Sequence, residues 1–205
     1  KNFLFKGPIL EWYTKVKVSM EKYYELFHEM IPMNAKITDL GCGYGTMSMA
    51  LALSGEKRRI RAIDYDDKKL KIASECAVVP NNLNFEQGDV VKVAFEQSDI
   101  FILSDVMHYL QSDEQKLLMM KMSEHLIEGG KIIIRDGDSE KEKRHRGTQL
   151  TEIFSTNFGF NKARNKLNYI SSEFIKQFAE ENKYNVEIID NTKRTSNTVF
   201  VLTRK

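Results

Sequence analysis

The sequence predicts an α/β fold built on a seven-stranded, mostly parallel sheet with an antiparallel last strand and helices on both faces. Three observations carry that expectation. From residue 37 onward, short apolar runs of strand length alternate with stretches of helical spacing, the pattern of strands joined by crossover helices. The first run, Ile37-Thr38-Asp39-Leu40, leads straight into the glycine-rich turn Gly41-Cys42-Gly43-Tyr44-Gly45. The last two runs, residues 186–190 and 198–203, are joined by a connection too short for a crossover, so they pair antiparallel.

Each element has local grounds. Proline suits a first helical turn, so Gly7-Pro8 opens a helical stretch. Ile9, Trp12, Tyr13, Val16 and Met20 follow helical spacing, and Tyr24, Phe27 and Ile31 continue it before Pro32. A break near Val18-Ser19 makes two helices of this stretch. Residues 1–35 are thus expected to form a helical cap on a domain of residues 36–205. Strand one is placed at 36–40 with its helix at 46–53, and strand two at 59–63, ending in Asp64. The next helix, about 67–77, puts Leu70, Ala73 and Ala77 on one face. Strand three is 83–87, followed by Gly88-Asp89, and strand four is the apolar run 100–104. Ser112 with Gln115 reads as a capping box for a helix over about 113–127, which Gly129-Gly130 ends. Strand five is 131–135. Charged residues 138–146 then open a segment reaching about residue 170, longer than a simple connection. Ser171 or Ser172 caps a helix through Glu181 that buries Phe174, Ile175 and Phe178.

Composition narrows the function. With 205 residues, 41% hydrophobic and 29% charged, the chain fits one globular domain that buries roughly 70% of its unfolded surface. A net charge of +2 is too small for a nucleic-acid or membrane-surface footprint. No stretch approaches the roughly 20 apolar residues of a membrane span, and no secretory leader is visible. Cys42 and Cys76 are too few and too scattered for a disulfide framework or a zinc site. A reducing, cytoplasmic setting with no metal is therefore expected. The first residue is Lys1 rather than Met, as in a module cut from a longer polypeptide or a chain trimmed of its tag.

The glycine turn suggests the ligand. Three glycines at alternate positions leave no Cβ atoms on one side of the backbone and permit φ > 0. Between the carboxyl end of a strand and the amino end of a helix, such a turn is where α/β sheets hold nucleotide-like ligands. A dinucleotide fingerprint has its third glycine one residue later, where Thr46 stands, which disfavours a nicotinamide oxidoreductase. With Asp39 two residues ahead, the G-x-G-x-G form resembles the class I S-adenosylmethionine (AdoMet) methyltransferases, whose fold is Rossmann-like. The resemblance implies that Gly41, Cys42, Gly43 and Gly45 pass beside the methionine part of AdoMet. It implies that Asp39 orients the amino-acid end through water. Asp64, about 20 residues after the turn, would accept both ribose hydroxyls. Tyr65 would stack on the adenine, and Gly88-Asp89 would meet its amino group with a backbone contact from Val90. Ser104 completes the implied cofactor set, and S-adenosylhomocysteine would be the product. Asp66 and Asp67 are better placed than Asp64 to cap the following helix.

Methyl transfer is an in-line displacement, so alignment and exclusion of water matter most, and a hydroxyl acceptor also needs a base. Strand four ends in Ser104-Asp105-Val106-Met107-His108-Tyr109, which resembles the corresponding stretch of small-molecule methyltransferases such as the quinone-pathway enzymes. His108 is the first candidate for base or acceptor orienter, since it titrates near neutrality, and Asp105 is the second. A structural histidine bonded to the next helix is the alternative. Arg135-Asp136-Gly137-Asp138 would bind a polar or anionic acceptor group or pair internally. By resemblance, residues 139–168 occupy the lid insertion, where Phe154, Phe158 and Phe160 would line an apolar acceptor and His145 is a further candidate. Tyr13 and Lys17 would reach the pocket from helices folded over the cofactor.

A narrower resemblance rests on longer phrases. Phe5-Lys6-Gly7-Pro8 with Glu11-Trp12-Tyr13, Leu103-Ser104-Asp105-Val106 with His108-Tyr109-Leu110, and Ile134-Arg135-Asp136-Gly137-Asp138 are similar to a bacterial group within the superfamily. Gly147-Thr148, Phe154-Ser155-Thr156 and Asp190-Asn191-Thr192-Lys193 add to it. In that group the methyltransferase is the last module of a polypeptide with an MMPL-type exporter and a lysophospholipid acyltransferase. It implies a lipid-like or acylated aromatic acceptor processed at the cytoplasmic face of the inner membrane, and the leading expectation is methyl transfer to a small or lipid-like molecule, at oxygen rather than carbon. A non-catalytic AdoMet-binding scaffold is the competing reading. A nucleic-acid methyltransferase is disfavoured because no Asn/Asp-Pro-Pro-aromatic motif follows strand four.

Overall fold

A computed structural model of the chain describes residues 23–76, 78–141, 167–190 and 197–205. Seven strands form one sheet in the order β3-β2-β1-β4-β5-β7-β6. They are β1 (Lys36–Leu40), β2 (Arg59–Asp64), β3 (Leu83–Gln87), β4 (Ser98–Ser104), β5 (Leu126–Gly137), β6 (Tyr184–Ile189) and β7 (Asn197–Arg204). Among the described residues the helices are α1 (Tyr23–Met30), α2 (Thr46–Leu53), α3 (Asp67–Ser74), α4 (Ser112–His125) and α5 (Ser172–Glu181), with one 3-10 turn at Met107–Tyr109. The chain divides into two compact units, residues 1–94 with 98–100, and residues 95–97 with 101–205.

In the first unit, β1, β2 and β3 run parallel. Their register pairs Leu40 with Ile63 and Asp64 with Gln87, so the carboxyl ends of the three strands lie level. The glycine turn, Asp64 and Gly88 therefore leave the sheet side by side. Ile37, Leu40, Ala62 and Ile63 are fully buried, as expected of parallel strands covered on both faces. Helix α2 is apolar nearly all round, and Met47, Met49, Leu51 and Ala52 are buried with Ser48. Asp66, not Asp64, caps α3 by accepting from the Lys68 amide at 3.1 Å.

In the second unit, β7 runs antiparallel to both its neighbours, pairing Ile134 with Phe200 on one side and Ile188 with Phe200 on the other. The expected closing hairpin is present. The apolar runs Phe101–Leu103 and Ile132–Ile134 are fully buried and form its core. Helix α5 buries Ile175 and Phe178 as expected, whereas Phe174 stays half-exposed.

Three local expectations need correction. The capping box of α4 lies one residue earlier than expected: Glu114 reaches back to the Gln111 amide at 2.9 Å, and Ser112 is already helical. Gln115, one residue beyond the box, is freed for a buried role. The helix ends at His125 instead of near Ile127, and Gly129, at φ 70°, lies inside β5 rather than terminating the helix. The ladder to β7 begins at Lys131, beyond this segment. In α1 the buried aromatic residues are Tyr23 and Phe27, with Tyr24 half-exposed. The expected cap and lid fall mostly on residues 1–22 and 142–166, outside the described residues. Among the described residues no helix is long and apolar enough to cross a membrane.

The first unit is tied together by one buried cation. Arg58 is fully enclosed, and its guanidinium donates to main-chain oxygens of Ile31 (2.6 Å), His28 (3.1 Å), Pro32 (3.1 Å) and Leu51 (3.1 Å), and to Ser54 Oγ (3.1 Å). These oxygens belong to the carboxyl ends of α1 and α2, which have no intrahelical partners and carry the negative end of the helix dipole. One planar, five-donor group thus closes two helices. Asn82 fastens the same corner by donating to Ala52, Gly55 and Arg58 oxygens at 3.0–3.3 Å. Replacing Arg58 by methionine keeps the stem but strands these carbonyls, so a loss of about 3–5 kcal/mol in urea unfolding is expected. Arg58→Lys should recover only part of it. A methionine variant within about 1 kcal/mol of the parent would mean that the carbonyls find other partners.

Candidate functional site

The glycine turn is built on left-handed backbone. Gly41, Gly43 and Gly45 have φ of 76°, 57° and 68°, a region that L side chains enter at a cost. The amides of Gly41 and Cys42 fold back onto the Ile63 carbonyl at 2.7 and 3.0 Å, holding the turn against the end of β2. Asp64 completes the clamp: one carboxylate oxygen accepts from the Gly43 amide at 2.7 Å and the other from the Asp66 amide at 2.9 Å. The residue expected to receive ribose hydroxyls therefore also organises the turn. A carboxylate has about four acceptor sites, so two bonds leave capacity for a ligand.

The glycines differ in what surrounds them. A Cβ on Gly45 would lie 2.5 Å from the Phe85 ring, so this glycine is required by packing as well as by φ. A Cβ on Gly43 would meet nothing within 4 Å. Gly43 faces open space, as a backbone must if a ligand is to lie against it. Near it on the level strand ends, the Tyr65 ring is 53% exposed and Asp89 is exposed, with one carboxylate oxygen held by the Val91 amide at 3.0 Å. Gly88 and buried Val90 flank Asp89. An open glycine edge, an exposed flat ring and exposed and buried carboxylates fit a nucleoside bearing an amino acid.

Asp39 is enclosed, and its carboxylate accepts from the equally buried Ser48 hydroxyl on α2. Burial raises its pKa from 3.8 to about 6, with Asp64 adding to the rise and the Ser48 bond opposing it. Burial likewise pushes the Cys42 thiol well up, helped by Asp39 and Asp64, so it is an inert side chain at neutral pH. The sequence gave no sign of Ser48, which is one small polar residue in an apolar helix.

The second unit holds the expected chemistry residues in two pairs. His108 Nδ1 lies 2.6 Å from Asp136 Oδ1, and both side chains are buried. The Gly137 amide also donates to that oxygen at 2.7 Å. A carboxylate facing Nδ1 holds the proton there and leaves Nε2 as the basic nitrogen. Tyr109 and Tyr169 pack against the imidazole, with ring centroids 4.1 and 5.6 Å away. The other pair is Arg135 and Asp105, joined by a direct ion pair and by the Asp105 amide donating to the Arg135 carbonyl at 2.9 Å. Asp105 sits at φ 59°, which aspartate tolerates better than most residues, at the point where the chain leaves β4. Ser104 is half-buried just before it. The sequence left Asp136 either to an acceptor group or to internal pairing; in the structure it pairs with His108. The candidate base Asp105 and the candidate acceptor contact Arg135 hold each other. The alternative for His108, a bond to the next helix, is not what its Nδ1 makes. Tyr13, Lys17, His145 and Phe158, like Phe154 and Phe160, lie outside the described residues. No group of acidic, histidine and cysteine side chains able to hold a metal occurs among the described residues.

A seven-stranded sheet of this order with an open glycine turn at the end of β1 is the frame on which α/β proteins hold nucleotide-like ligands. A family model described as a methyltransferase domain matches residues 32–200, and the chain belongs to that family. It is an AdoMet-dependent methyltransferase. An uncharacterised methyltransferase of Staphylococcus carnosus is 29% identical over 147 residues, which cover 68% of this chain and 69% of that one. A carboxy-S-adenosyl-L-methionine synthase of Shewanella halifaxensis is 26% identical over 129 residues, 60% of this chain. The match spans 53% of that synthase and 48% of the synthase of the same name from Campylobacter lari. Among solved structures, a putative O-methyltransferase from Nostoc punctiforme superposes with a TM-score of 0.69 at 16% identity, covering 96% of this chain and 61% of that one. Magnesium protoporphyrin IX methyltransferase from Synechocystis, with bound S-adenosylhomocysteine, gives 0.67 at 14% identity, covering 94% and 84%. At these identities the structures speak to the fold.

Two measurements test the glycine turn and Asp39. Alanine at either Gly43 or Gly45 strains a left-handed residue by about 1–2 kcal/mol. Gly45→Ala should unfold at clearly lower urea than Gly43→Ala because it also displaces Phe85. Gly43→Ala should instead weaken AdoMet binding in calorimetry, and equal binding to the parent would put the ligand elsewhere. For Asp39 the sign is unfavourable to the native state. Below about pH 4 both native and unfolded chains hold the proton. Between there and about pH 6 the unfolded chain releases it first, so this carboxyl's contribution to stability falls as pH rises, then levels off. Asp39→Asn should remove that slope from the difference between the two stability–pH curves. Parallel curves from pH 4 to 6.5 would contradict the raised pKa.

Proposed function

We propose that the enzyme methylates a hydroxyl of a small or lipid-like acceptor, with His108 as base and Asp136 as the group that orients it. The observation that carries this reading is the 2.6 Å contact between His108 Nδ1 and the buried Asp136 carboxylate. A hydroxyl oxygen gains nucleophilicity as its proton leaves, which is the work such a base does. AdoMet supplies a methyl group on a sulfonium sulfur and leaves as S-adenosylhomocysteine. Asp39, Gly41, Cys42, Gly43, Gly45, Asp64, Tyr65, Gly88, Asp89, Val90 and Ser104 are proposed to hold it. His108 Nε2 takes the acceptor's hydroxyl proton as the oxygen bonds to carbon, and the imidazolium is stabilised by Asp136 until it returns the proton to water.

The paired state of Arg135 supports a neutral acceptor over a carboxylated one. Its guanidinium is buried and already answered by Asp105, so an anion would have to displace a carboxylate already in place. That distinction bears on the relatives named carboxy-S-adenosyl-L-methionine synthases, whose name gives a carboxylated product. The longer sequence phrases shared with the exporter-linked bacterial group support an acceptor with an acyl or aromatic part, and a place beside the cytoplasmic membrane face. Tyr13, Lys17, His145 and Phe158 remain proposed acceptor contacts.

The test is a methyl-transfer assay over phenols, quinols, phenolic acids and lipid acids, with AdoMet affinity titrated in parallel. His108→Ala should keep AdoMet affinity and lower turnover by roughly 10²–10⁴-fold. Asp136→Asn should act in the same direction, because an amide can hold the imidazole in the wrong tautomer. Full turnover in His108→Ala would remove the base from the mechanism.

A further inference from the structure

His108 and Asp136 sit on different stretches of chain, the turn after β4 and the end of β5, so something must set the distance between them. The strip of residues 168–170 touches both. On one side the Asn168 amide donates to the His108 carbonyl at 2.8 Å, and its side-chain nitrogen donates to the Leu110 carbonyl at 3.0 Å and Ser112 Oγ at 3.3 Å. On the other, Ser139 donates to the Ile170 carbonyl at 2.7 Å and Asp138 bridges to Ile170, two residues beyond Asp136. Asp138 is buried and accepts from both the Ser172 amide, at 3.2 Å, and the Ser172 hydroxyl, at 2.5 Å, which anchors the far end of the strip.

Gln115 locks the near end. Its side chain is buried in the first turns of α4, where an unbonded amide would be costly. Its nitrogen donates to the Met107 carbonyl at 2.9 Å and to the Asn168 carbonyl at 2.8 Å. A third, longer contact reaches the Leu110 carbonyl at 3.4 Å. The turn carrying His108 and the strip are therefore held by one amide from a third element. Backbone bonds hold the turn to β5 through Asp105 and Arg135 and to the strip through Asn168, and Gln115 adds the side-chain link between turn and strip.

We infer that Gln115, acting through Asn168, is a positioning residue that holds the His108 turn at the right distance from Asp136. The inference rests on the reading of His108 as the base, but its geometry does not. Asp136 from β5, Tyr109 from the same turn and Tyr169 from the strip face the imidazole, so a shift of the turn changes all three contacts together.

The experiment uses the full chain with AdoMet and whichever acceptor turns over. Gln115→Met keeps the volume and removes the donor, Gln115→Glu keeps the shape and replaces the donor by an acceptor, and Asn168→Ala keeps the backbone bond. For each, nitrogen-detected NMR reads the His108 tautomer, and kcat, KM and the kcat–pH profile are measured beside AdoMet affinity. The expected result is a mixed His108 tautomer, a displaced acid limb and a kcat lower by about 10–100-fold, with AdoMet affinity unchanged. Asn168→Ala should show the same changes in smaller degree, and it carries the test if the Gln115 variants do not fold. A parental tautomer and pH profile in Gln115→Met and Asn168→Ala, even with a lower melting temperature, would overturn the inference and leave Gln115 as packing alone. A shifted tautomer in the Gln115 and Asn168 variants, with full turnover both in them and in His108→Ala, would uphold the clamp and reject His108 as the base.

Discussion

The carboxylate of Asp64 is the constraint on which the cofactor half depends. Three alternate glycines in left-handed backbone have no side chains to hold them, and an unheld turn of this kind would sample many shapes. Charge-assisted bonds from the Gly43 and Asp66 amides join the turn after β1 to the start of α3. The level register of β1, β2 and β3 supplies the platform, and the Gly45–Phe85 contact sets how closely α2 approaches β3. The same carboxylate thus shapes the turn before any ligand arrives. A preorganised turn lowers the ordering cost that binding would otherwise meet.

Buried polar groups do much of the organising elsewhere, and each does so by finishing hydrogen bonds that secondary structure leaves open. Arg58 closes the carboxyl ends of two helices, Asp138 holds the start of α5, and Gln115 answers carbonyls of a 3-10 turn and a return strip. Such groups are costly when partnerless and specific when satisfied. They account for the fixed placement of loops that carry chemistry, which apolar packing alone would leave adjustable. The Asp105–Arg135 ion pair belongs to the same class, and it holds a left-handed residue at the exit of β4.

The acidic pair Asp39 and Asp64 shows the opposite side of burial. Enclosing Asp39 beneath the glycine turn raises its pKa to about 6, and the neighbouring negative charge adds to that. Stability is given up at neutral pH to keep an ionisable group there. Retaining it makes sense if a cation is to be received, because a positive ligand group would favour the charged form and recover part of the cost.

The sequence by itself determined the alternation of strands and helices, the closing hairpin, the glycine turn and the acidic residues at strand ends. Those features are local: apolar runs, glycine spacing and a connection too short for a crossover are all visible within about ten residues. The structure moved the α4 cap from Ser112 to Gln111, ended that helix at His125 and began β5 at Leu126, ahead of Gly129. Only tertiary structure made Asp136 the partner of His108, gave Arg135 to Asp105, and set Ser48 on Asp39 and Gln115 on Asn168. Each of these joins residues that are 9 to 53 positions apart. Partner choice at that range depends on which carbonyl or carboxylate is left unsatisfied after the elements pack, and no spacing in the chain encodes it.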